Sequence, residues 1–371
     1  MQSEKLEPCG RGKLNFKFKS PTAEGLVVSR HWDARDRHTV SIGVVTLILA
    51  SLTVVLPLAN RAQAQTEGDA QRVESAGINY LMTNFNTSVG LIRNSPDSLL
   101  LRNEYYLYSD NYLSVLALSN LANGNSTLVM RAEKIGNTMS GYLSKLPYTD
   151  VANQYTAMGS GACSFNGSRD FLLFSTGEEK ILATVNNQTG SLPASGYADI
   201  ALLQAVCYYN QYESSGNESG LAAAKTAYFS GNATFDGTGF RDKPYTDPNS
   251  SSYHEYQTYK LALYIYASKL LNYSFPQSAL SRLVSMSATN QTEVGGFYTC
   301  YNANSVPECG TNAETTAVAI LAIHGPPISP PTFPVPDFPV GELPVVYFVV
   351  VAIALFQLER LGRGRFHVRW H

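Results

Sequence analysis

The stretch Gly295-Gly296-Phe297-Tyr298, followed after a polar loop by Thr311-Asn312-Ala313-Glu314-Thr315-Thr316-Ala317, decides the fold class. A glycine-aromatic turn precedes the loop, and an acidic residue then opens a helix that is apolar on nearly every face through Ile323. A helix that is apolar all round is expected to be buried between neighbouring elements. This stretch therefore predicts an inner helix that starts near Glu314.

Working outward, the same unit occurs four times between residues 65 and 325. An amphipathic first helix is predicted over 67–85, 126–146, 216–230 and 275–289, and related turns occur at Val89–Arg93 and Thr238–Arg241. The second unit lacks a clean turn and carries an insertion over 147–195. The second, more apolar helices are predicted to begin at the acids Asp110, Asp199, Glu255 and Glu314.

Helical hairpins of this kind cannot bury their apolar faces alone, so they pack side by side and bring equivalent ends together. The pattern therefore predicts an all-α fold over 65–325, an α/α toroid of about four helical hairpins with the four acids on one rim. The phrases around Phe297 and Glu314 resemble the repeats of terpenoid-cyclase and protein-prenyltransferase toroids, and those of six-hairpin glycosidases and polysaccharide lyases. That resemblance covers most of 65–325 at the level of repeat pattern, with fewer hairpins than those families have.

Convergence of the four acids would place carboxylates where they could act as general acid and base on a glycosidic bond. Tyrosines near the same ends would supply the aromatic faces of a carbohydrate cleft: Tyr105, Tyr106, Tyr108, Tyr112, Tyr197, Tyr256, Tyr259, Tyr298 and Tyr301. The alternative is that the acids only stabilise helix N-termini, and that the tyrosines lie at the wet edge of an ordinary core.

Other chemistry has little support in the sequence. Only His254 and His324 lie within 65–325, so a zinc site would need Cys300 or Cys309, which can instead form a disulfide. This counts against the zinc-dependent activity of the prenyltransferases. A glycine-rich phosphate loop and a nucleophile elbow are absent, and we predict neither a metal site nor a cofactor. Residues 65–342 contain fourteen basic and twenty-three acidic residues, a net charge of −9 that disfavours nucleic acid as a partner.

The N-terminal flank predicts export. A basic region over 1–39 precedes the apolar run Val40–Ala59, and Ala62-Gln63-Ala64 forms a small-x-small cleavage pattern. Together these features predict a signal segment over 40–64 and a mature chain that starts at Gln65. An uncleaved signal anchor is the alternative, because twenty apolar residues can span a bilayer.

The C-terminal flank predicts a surface anchor. A proline-rich stalk over 326–342 precedes an apolar membrane span over 343–358 and a basic cytoplasmic tail over 359–371. Pro336-Asp337-Phe338-Pro339, the span and the arginine-rich end resemble the P-E-F-type sorting tails of archaeal surface proteins over about 35 residues. That resemblance implies anchoring in membrane lipid or processing by an archaeosortase, although Asp337 stands where the family usually has Glu. A GPI signal fits less well because those tails end apolar.

The cysteines and the glycosylation sequons agree with an extracellular location for residues 65–325. Four cysteines lie within 65–325, and we predict the disulfides Cys300–Cys309 and Cys163–Cys207. Nine Asn-x-Ser/Thr sequons, all between the two flanks, predict glycosylation at Asn86, Asn125, Asn166, Asn187, Asn217, Asn232, Asn249, Asn272 and Asn290.

Two functions remain open from the sequence. One is a membrane-anchored cell-surface glycoprotein whose toroid is a non-catalytic binding or structural module, with cell-envelope glycans as its partners. The other is a surface-tethered glycan-active enzyme, a glycoside hydrolase or polysaccharide lyase that uses paired carboxylates.

Overall fold

The computed structural model describes residues 68–95, 104–144, 153–159, 163, 165–176, 179–191, 194–290 and 293–326. The predicted signal segment, the membrane span, the tails and nearly all of the stalk lie outside these residues. Within the described part of the chain, no helix combines the length and the apolar character needed to cross a bilayer.

The described chain is mainly helical. Its helices are α1 (68–83), α2 (Tyr108–Asn120), α3 (Ser126–Leu143), α4 (Thr156–Gly159), α5 (Ala198–Ser215), α6 (Glu218–Asn232), α7 (Lys243–Thr246), α8 (Thr258–Leu270), α9 (Gln277–Ser285) and α10 (Ala313–His324). Its strands are β1 (Phe85–Asn86), β2 (Leu91–Ile92), β3 (Glu104–Leu107), β4 (Asn166–Thr176), β5 (Glu179–Ser191), β6 (Tyr256–Gln257), β7 (Phe297–Tyr298), β8 (Cys300–Tyr301) and β9 (Thr311–Asn312). The predicted helices of all four units are present.

The four apolar helices form the centre of the core. Helix α10 packs against α2 on one side and α8 on the other, and α8 packs against α5. The short helix α4 contacts α5 and also lies against α2, where Gly159 faces Tyr112 and Leu116. In α10 every residue from Thr315 to Ile323 is buried, as its continuous apolar pattern predicts.

Each amphipathic helix covers the outside of one central helix. Helices α3, α6 and α9 pack on the helices that precede them, α2, α5 and α8. Helix α1 covers the last one, α10: Gly77 lies against Ile320, and the Tyr80 hydroxyl is 3.1 Å from Thr311 Oγ1. Helices that are adjacent in the chain and pack together are therefore an inner helix followed by an outer helix. The sequence pattern predicts the opposite order, an outer helix followed by an inner helix.

The glycine-aromatic turn before α10 packs against α1. Gly295 has a φ of +85°, and a Cβ at Gly296 would lie 2.5 Å from the Tyr80 ring. Glycine readily adopts the positive φ of Gly295, and at Gly296 only a residue without a side chain avoids a clash with Tyr80. The glycine pair is thus required by the contact between the first and last described helices.

The expectation of an all-α fold is too narrow. Strands β4 and β5 form a long antiparallel hairpin, and β3 pairs with β5 in parallel to complete a three-stranded sheet. The hairpin occupies the 147–195 insertion, where runs such as Phe171–Phe174 and Ile181–Val185 have high strand propensity. Two-residue strands also pair the loops that lead into α8 and α10, β6 with β8 and β7 with β9.

Both predicted disulfides are confirmed. The Cα–Cα distance is 5.7 Å between Cys163 and Cys207 and 5.2 Å between Cys300 and Cys309. The first ties the insertion to α5, and the second closes the loop before α10. Both distances are normal for a disulfide.

Candidate functional site: a cluster of carboxyl and tyrosine side chains

Three of the four predicted acids lie in the first turn of a central helix. Asp110 is the third residue of α2, Asp199 the second residue of α5, and Glu314 the second residue of α10. The Glu314 charge acts on Asp110 and the Asp199 charge acts on Glu314, so these first turns lie close together at one end of the domain. The three side chains and their hydrogen-bond partners form a carboxyl–tyrosine cluster there.

Asp110 is the innermost member of this cluster. It is fully buried, and its Oδ2 accepts a 2.7 Å hydrogen bond from Asn94 Nδ2. Burial raises the pKa of Asp110 well above its ordinary value, and the nearby Glu314 carboxylate raises it further. The Asp110 carboxyl is therefore held in conditions that favour its protonated form.

Glu314 is half-buried and accepts a hydrogen bond from the Tyr155 hydroxyl. Burial raises the pKa of Glu314; the Tyr155 hydrogen bond lowers it, and the negative charge of Asp199 raises it. The net shift is upward, so Glu314 is suited to carry a proton at a higher pH than an exposed glutamate does.

Asp199 is also half-buried. Its Oδ2 accepts a 2.8 Å hydrogen bond from the Tyr259 hydroxyl. Its Oδ1 is buried and has no hydrogen-bond partner among the described residues. Burial and the Asp199 charge raise the pKa of Tyr259, so this phenol stays protonated and donates. One oxygen of Asp199 is thus anchored, and the other is left to interact with something else.

Glu255 does not belong to this cluster. The prediction that an acid opens α8 is wrong, because α8 begins at Thr258 after the short strand β6. The carboxylate of Glu255 lies 3.9 Å from Cys309 Sγ, and no described interaction joins it to the other three acids. Tyr259 occupies the second position of α8, the position of Asp199 in α5 and of Glu314 in α10.

Tyr155 is a member of the carboxyl–tyrosine cluster that sequence reasoning missed. It is 1% exposed and precedes α4, inside the insertion that interrupts the repeat. Burial raises its pKa well above the ordinary value, and the Glu314 and Asp199 charges raise it further. The sequence carries no local sign of this role, because its partner lies 159 residues away.

A buried ion pair next to the cluster was also missed. Lys260 Nζ lies 2.7 Å from Asp242 Oδ2, and both side chains are almost fully buried. The same Oδ2 accepts a 3.0 Å hydrogen bond from the Ala198 backbone N–H at the start of α5. Asp242 therefore joins the first turns of α5 and α8, and it holds Asp199 and Tyr259 in register.

Of the nine predicted tyrosines, Tyr259 is the one with a described hydrogen bond to a cluster acid. Others bind groups outside the cluster: Tyr106 donates to Glu104 at 2.6 Å, Tyr256 to Asp236 at 2.6 Å, and Tyr301 to the Thr238 carbonyl at 2.8 Å. Those hydrogen bonds hold loops to the core. Tyr106, Tyr256 and Tyr301 therefore have structural roles rather than roles in a cleft.

Among the residues that the structure describes, the acids of the cluster do not form a preformed site for an ion. A ligating group of three His, Cys, Asp or Glu atoms within 4.8 Å of one another occurs in the described part of the chain at Glu255, Cys300 and Cys309. The two cysteines there are joined as a disulfide and offer no thiolate. Asp110, Asp199 and Glu314 do not form such a group among the described residues.

A separate small cavity lies between β3, α2, α3 and β5. It is lined mainly by apolar atoms, including Leu91, Met139 and Ile181, and it has room for about one water molecule. It is too small for an organic ligand and does not include the carboxyl–tyrosine cluster.

The chain matches no protein family, no curated protein and no solved structure. Its function is therefore inferred from the geometry of the described residues and from the flanking sequence.

Proposed function

We propose that this chain is a membrane-anchored cell-surface glycoprotein whose helical domain is an α/α toroid and binds glycans at the carboxyl–tyrosine cluster. The apolar flanks, the even number of disulfide-bonded cysteines and the sequons support the location. Sequencing of the mature termini tests it: a start at Gln65 and retention of residues 343–371 are expected. A chain that starts before Val40 would be an uncleaved anchor, and loss of the C-terminal span would favour archaeosortase processing.

The order of the central helices supports a ring. Contacts run from α2 through α10 and α8 to α5, and α4 contacts both α5 and α2. The ring would then have five members instead of the four hairpins expected from the repeats. An experimental structure in which α2 and α5 lie far apart, with α4 detached from α2, would contradict the toroid.

A single observation supports ligand binding: Asp199, Glu314, Tyr155 and Tyr259 converge from four different elements at one end of the domain. Carboxylates and phenols are strong hydrogen-bonding partners for sugar hydroxyls. The buried but unpartnered Asp199 Oδ1 offers an acceptor. No cation neutralises the cluster among the described residues, so a neutral ligand fits it better than an anionic one.

The full-length chain, purified in detergent, can be tested on an array of neutral oligosaccharides. We expect binding that falls at least tenfold in Asp199→Asn and in Tyr259→Phe. Glu218→Gln is the matched control, because Glu218 also lies in the first turn of a helix but is exposed on α6. Equal binding by the wild type and both cluster variants would contradict the proposal.

A glycan-cleaving enzyme is the second candidate, and the elevated pKa of Glu314 favours it specifically. In that reaction Glu314 would donate a proton to the glycosidic oxygen, and Asp199 would act as base or nucleophile. Release of reducing ends by the wild type, lost in Glu314→Gln with binding retained, would favour the enzyme. A lowered melting temperature without any wild-type cleavage would mean that Glu314 only stabilises the helix.

A further inference from the structure

Six of the nine predicted glycosylation sites fall into two structural groups of three. Asn125, Asn217 and Asn272 lie in the turns that lead from a central helix to the helix covering it, α2–α3, α5–α6 and α8–α9. Asn86, Asn249 and Asn290 lie in the loops that lead into α2, α8 and α10. The two groups therefore occupy opposite ends of the central helices.

We propose that the glycans of this protein are carried mainly by Asn125, Asn217 and Asn272, as a collar around the end of the domain from which the chain leaves toward its stalk. This inference rests on the proposed extracellular location of the domain. It concerns sites other than the carboxyl–tyrosine cluster, and it makes a separate prediction for each sequon.

The amide nitrogens distinguish the two groups. Glycan transfer requires Nδ2 to lose a proton and bond to the anomeric carbon of a lipid-linked oligosaccharide, while the bond from that carbon to the lipid phosphate oxygen breaks. An Nδ2 that already donates hydrogen bonds within the fold is less available. The side chains of Asn125, Asn217 and Asn272 make no such donation among the described residues, and all three residues are exposed.

The Nδ2 atoms of the second group already donate hydrogen bonds within the fold. Asn86 Nδ2 donates to the Tyr106 hydroxyl at 2.7 Å and to Glu179 Oε1 at 3.1 Å. Asn249 Nδ2 donates to Asp247 Oδ1 at 3.2 Å, and Asn290 Nδ2 donates to Glu293 Oε2 at 2.5 Å. Glycosylation of these asparagines in the folded protein would replace or disturb hydrogen bonds that hold the loops before the central helices.

The turn asparagines can keep their structural role when modified. Asn125 Oδ1 accepts from the Thr127 backbone N–H at 3.0 Å, and Asn217 Oδ1 accepts from the Ser219 backbone N–H at 3.0 Å, so both cap a helix through oxygen. A glycan attaches through nitrogen and leaves the carbonyl oxygen in place. Asn272 lies in the left-handed region with a φ of +56°, in an exposed turn.

The collar position follows from where α10 ends. Lys269 Nζ at the end of α8 donates to the Ile323 carbonyl at the end of α10 at 2.6 Å, so these two helices end side by side. Asn272 is three residues beyond Lys269, and the chain leaves α10 at Gly325. Glycans at the three turns would surround this exit and leave the carboxyl–tyrosine end of the domain accessible.

The test uses the full-length chain produced in a glycosylating host and mapped by mass spectrometry of its peptides. Thr127→Ala, Ser219→Ala and Ser274→Ala together remove the three turn sequons but keep their asparagines and caps. The matched control, Ser88→Ala, Ser251→Ala and Thr292→Ala, removes the other three sequons. We expect the first triple variant to lose three glycan masses and the control to lose none.

Equal losses in both triple variants, or a greater loss in the control, would overturn the collar, whether transfer occurs before or after folding. A wild-type chain with no glycan at all would instead refute the glycoprotein part of the proposed function. Peptide occupancy in the unmutated chain supplies the same comparison without any substitution, so the collar can be tested even where a variant fails to fold.

Discussion

Two groups of ionisable side chains lie at the starts of the central helices, and they differ in whether a cation is present. Lys260 and Asp242 form a direct pair at 2.7 Å. Asp110, Asp199 and Glu314 are held by neutral donors, namely Asn94, Tyr259 and Tyr155, and no described ion pair includes them. The first group stabilises the helix starts, whereas in the second group burial opposes the ionisation of Asp110 and Glu314.

This difference favours a structural role for the Lys260–Asp242 pair and supports the binding role proposed for the carboxyl–tyrosine cluster. The negative charge of Asp242 is paired with Lys260 inside the fold, and losing that partner is costly. Carboxyl groups with raised pKa values, such as Asp110 and Glu314, are typical of sites that bind a ligand or transfer a proton. Three sets of substitutions and one change of pH test this comparison.

The largest effect is expected from Lys260→Met. It leaves Asp242 buried without its cation, so the free energy of unfolding should fall by about 3–5 kcal/mol at pH 7. Adding Asp242→Asn should recover part of that loss, since asparagine can still accept the Ala198 N–H. Urea denaturation measures both, and losses that simply add would show that the two side chains do not interact.

Asp110→Asn should raise the free energy of unfolding, whereas Lys260→Met should lower it. The substitution replaces a carboxyl group whose ionisation is opposed by burial with a neutral amide, and it keeps an oxygen to accept from Asn94. We expect stability at pH 7 to rise, because the amide stays neutral at a site where burial raises the pKa of the carboxyl group. A loss of stability in urea denaturation would mean that the Asp110 carboxyl makes an interaction that the amide cannot replace. The exposed Glu218→Gln should change stability by less than about 1 kcal/mol.

The pH dependence follows from the same carboxyls. The pKa values of Asp110 and Glu314 are higher in the folded state than in the unfolded state. At pH values between the unfolded and the folded pKa, the folded state therefore binds more protons than the unfolded state. Stability from these groups is therefore complete below about pH 4 and decreases as the pH rises through the folded values. Glu104 and Asp236, with lowered pKa values, act in the opposite sense, and their contribution is lost below about pH 4.

Between pH 7 and about pH 5 the raised carboxyls should dominate, so the wild type should gain stability on acidification. The double variant Asp110→Asn with Glu314→Gln should gain much less. Denaturation midpoints at the two pH values provide the measurement. An equal gain in both proteins would place the responsible groups outside the cluster.

The smallest effect is expected from Tyr259→Phe. It removes the hydroxyl that donates to Asp199 Oδ2 at 2.8 Å, at a cost of about 0.5–1.5 kcal/mol. Tyr253→Phe, at a residue 42% exposed, is the matched control and should change little. If both variants melt alike, the Tyr259 hydroxyl does not stabilise the cluster.

The sequence by itself determined the local elements. The apolar run over 313–324 predicted a buried helix, acids in the first turns marked three of the four inner helix starts, and loop spacing predicted the Cys300–Cys309 disulfide. These features depend on side chains within a few turns of one another, so periodicity and helix-end preferences are sufficient to find them.

Only the tertiary structure decided which side chains meet. It brought Tyr155 from the insertion to Glu314 across 159 residues, placed Tyr259 instead of Glu255 beside Asp199, and packed α1 against α10. It also formed the β4–β5 hairpin within a mainly helical chain. Such contacts depend on the packing of whole elements, and the residues that make them carry no local pattern that sets them apart from other tyrosines and acids.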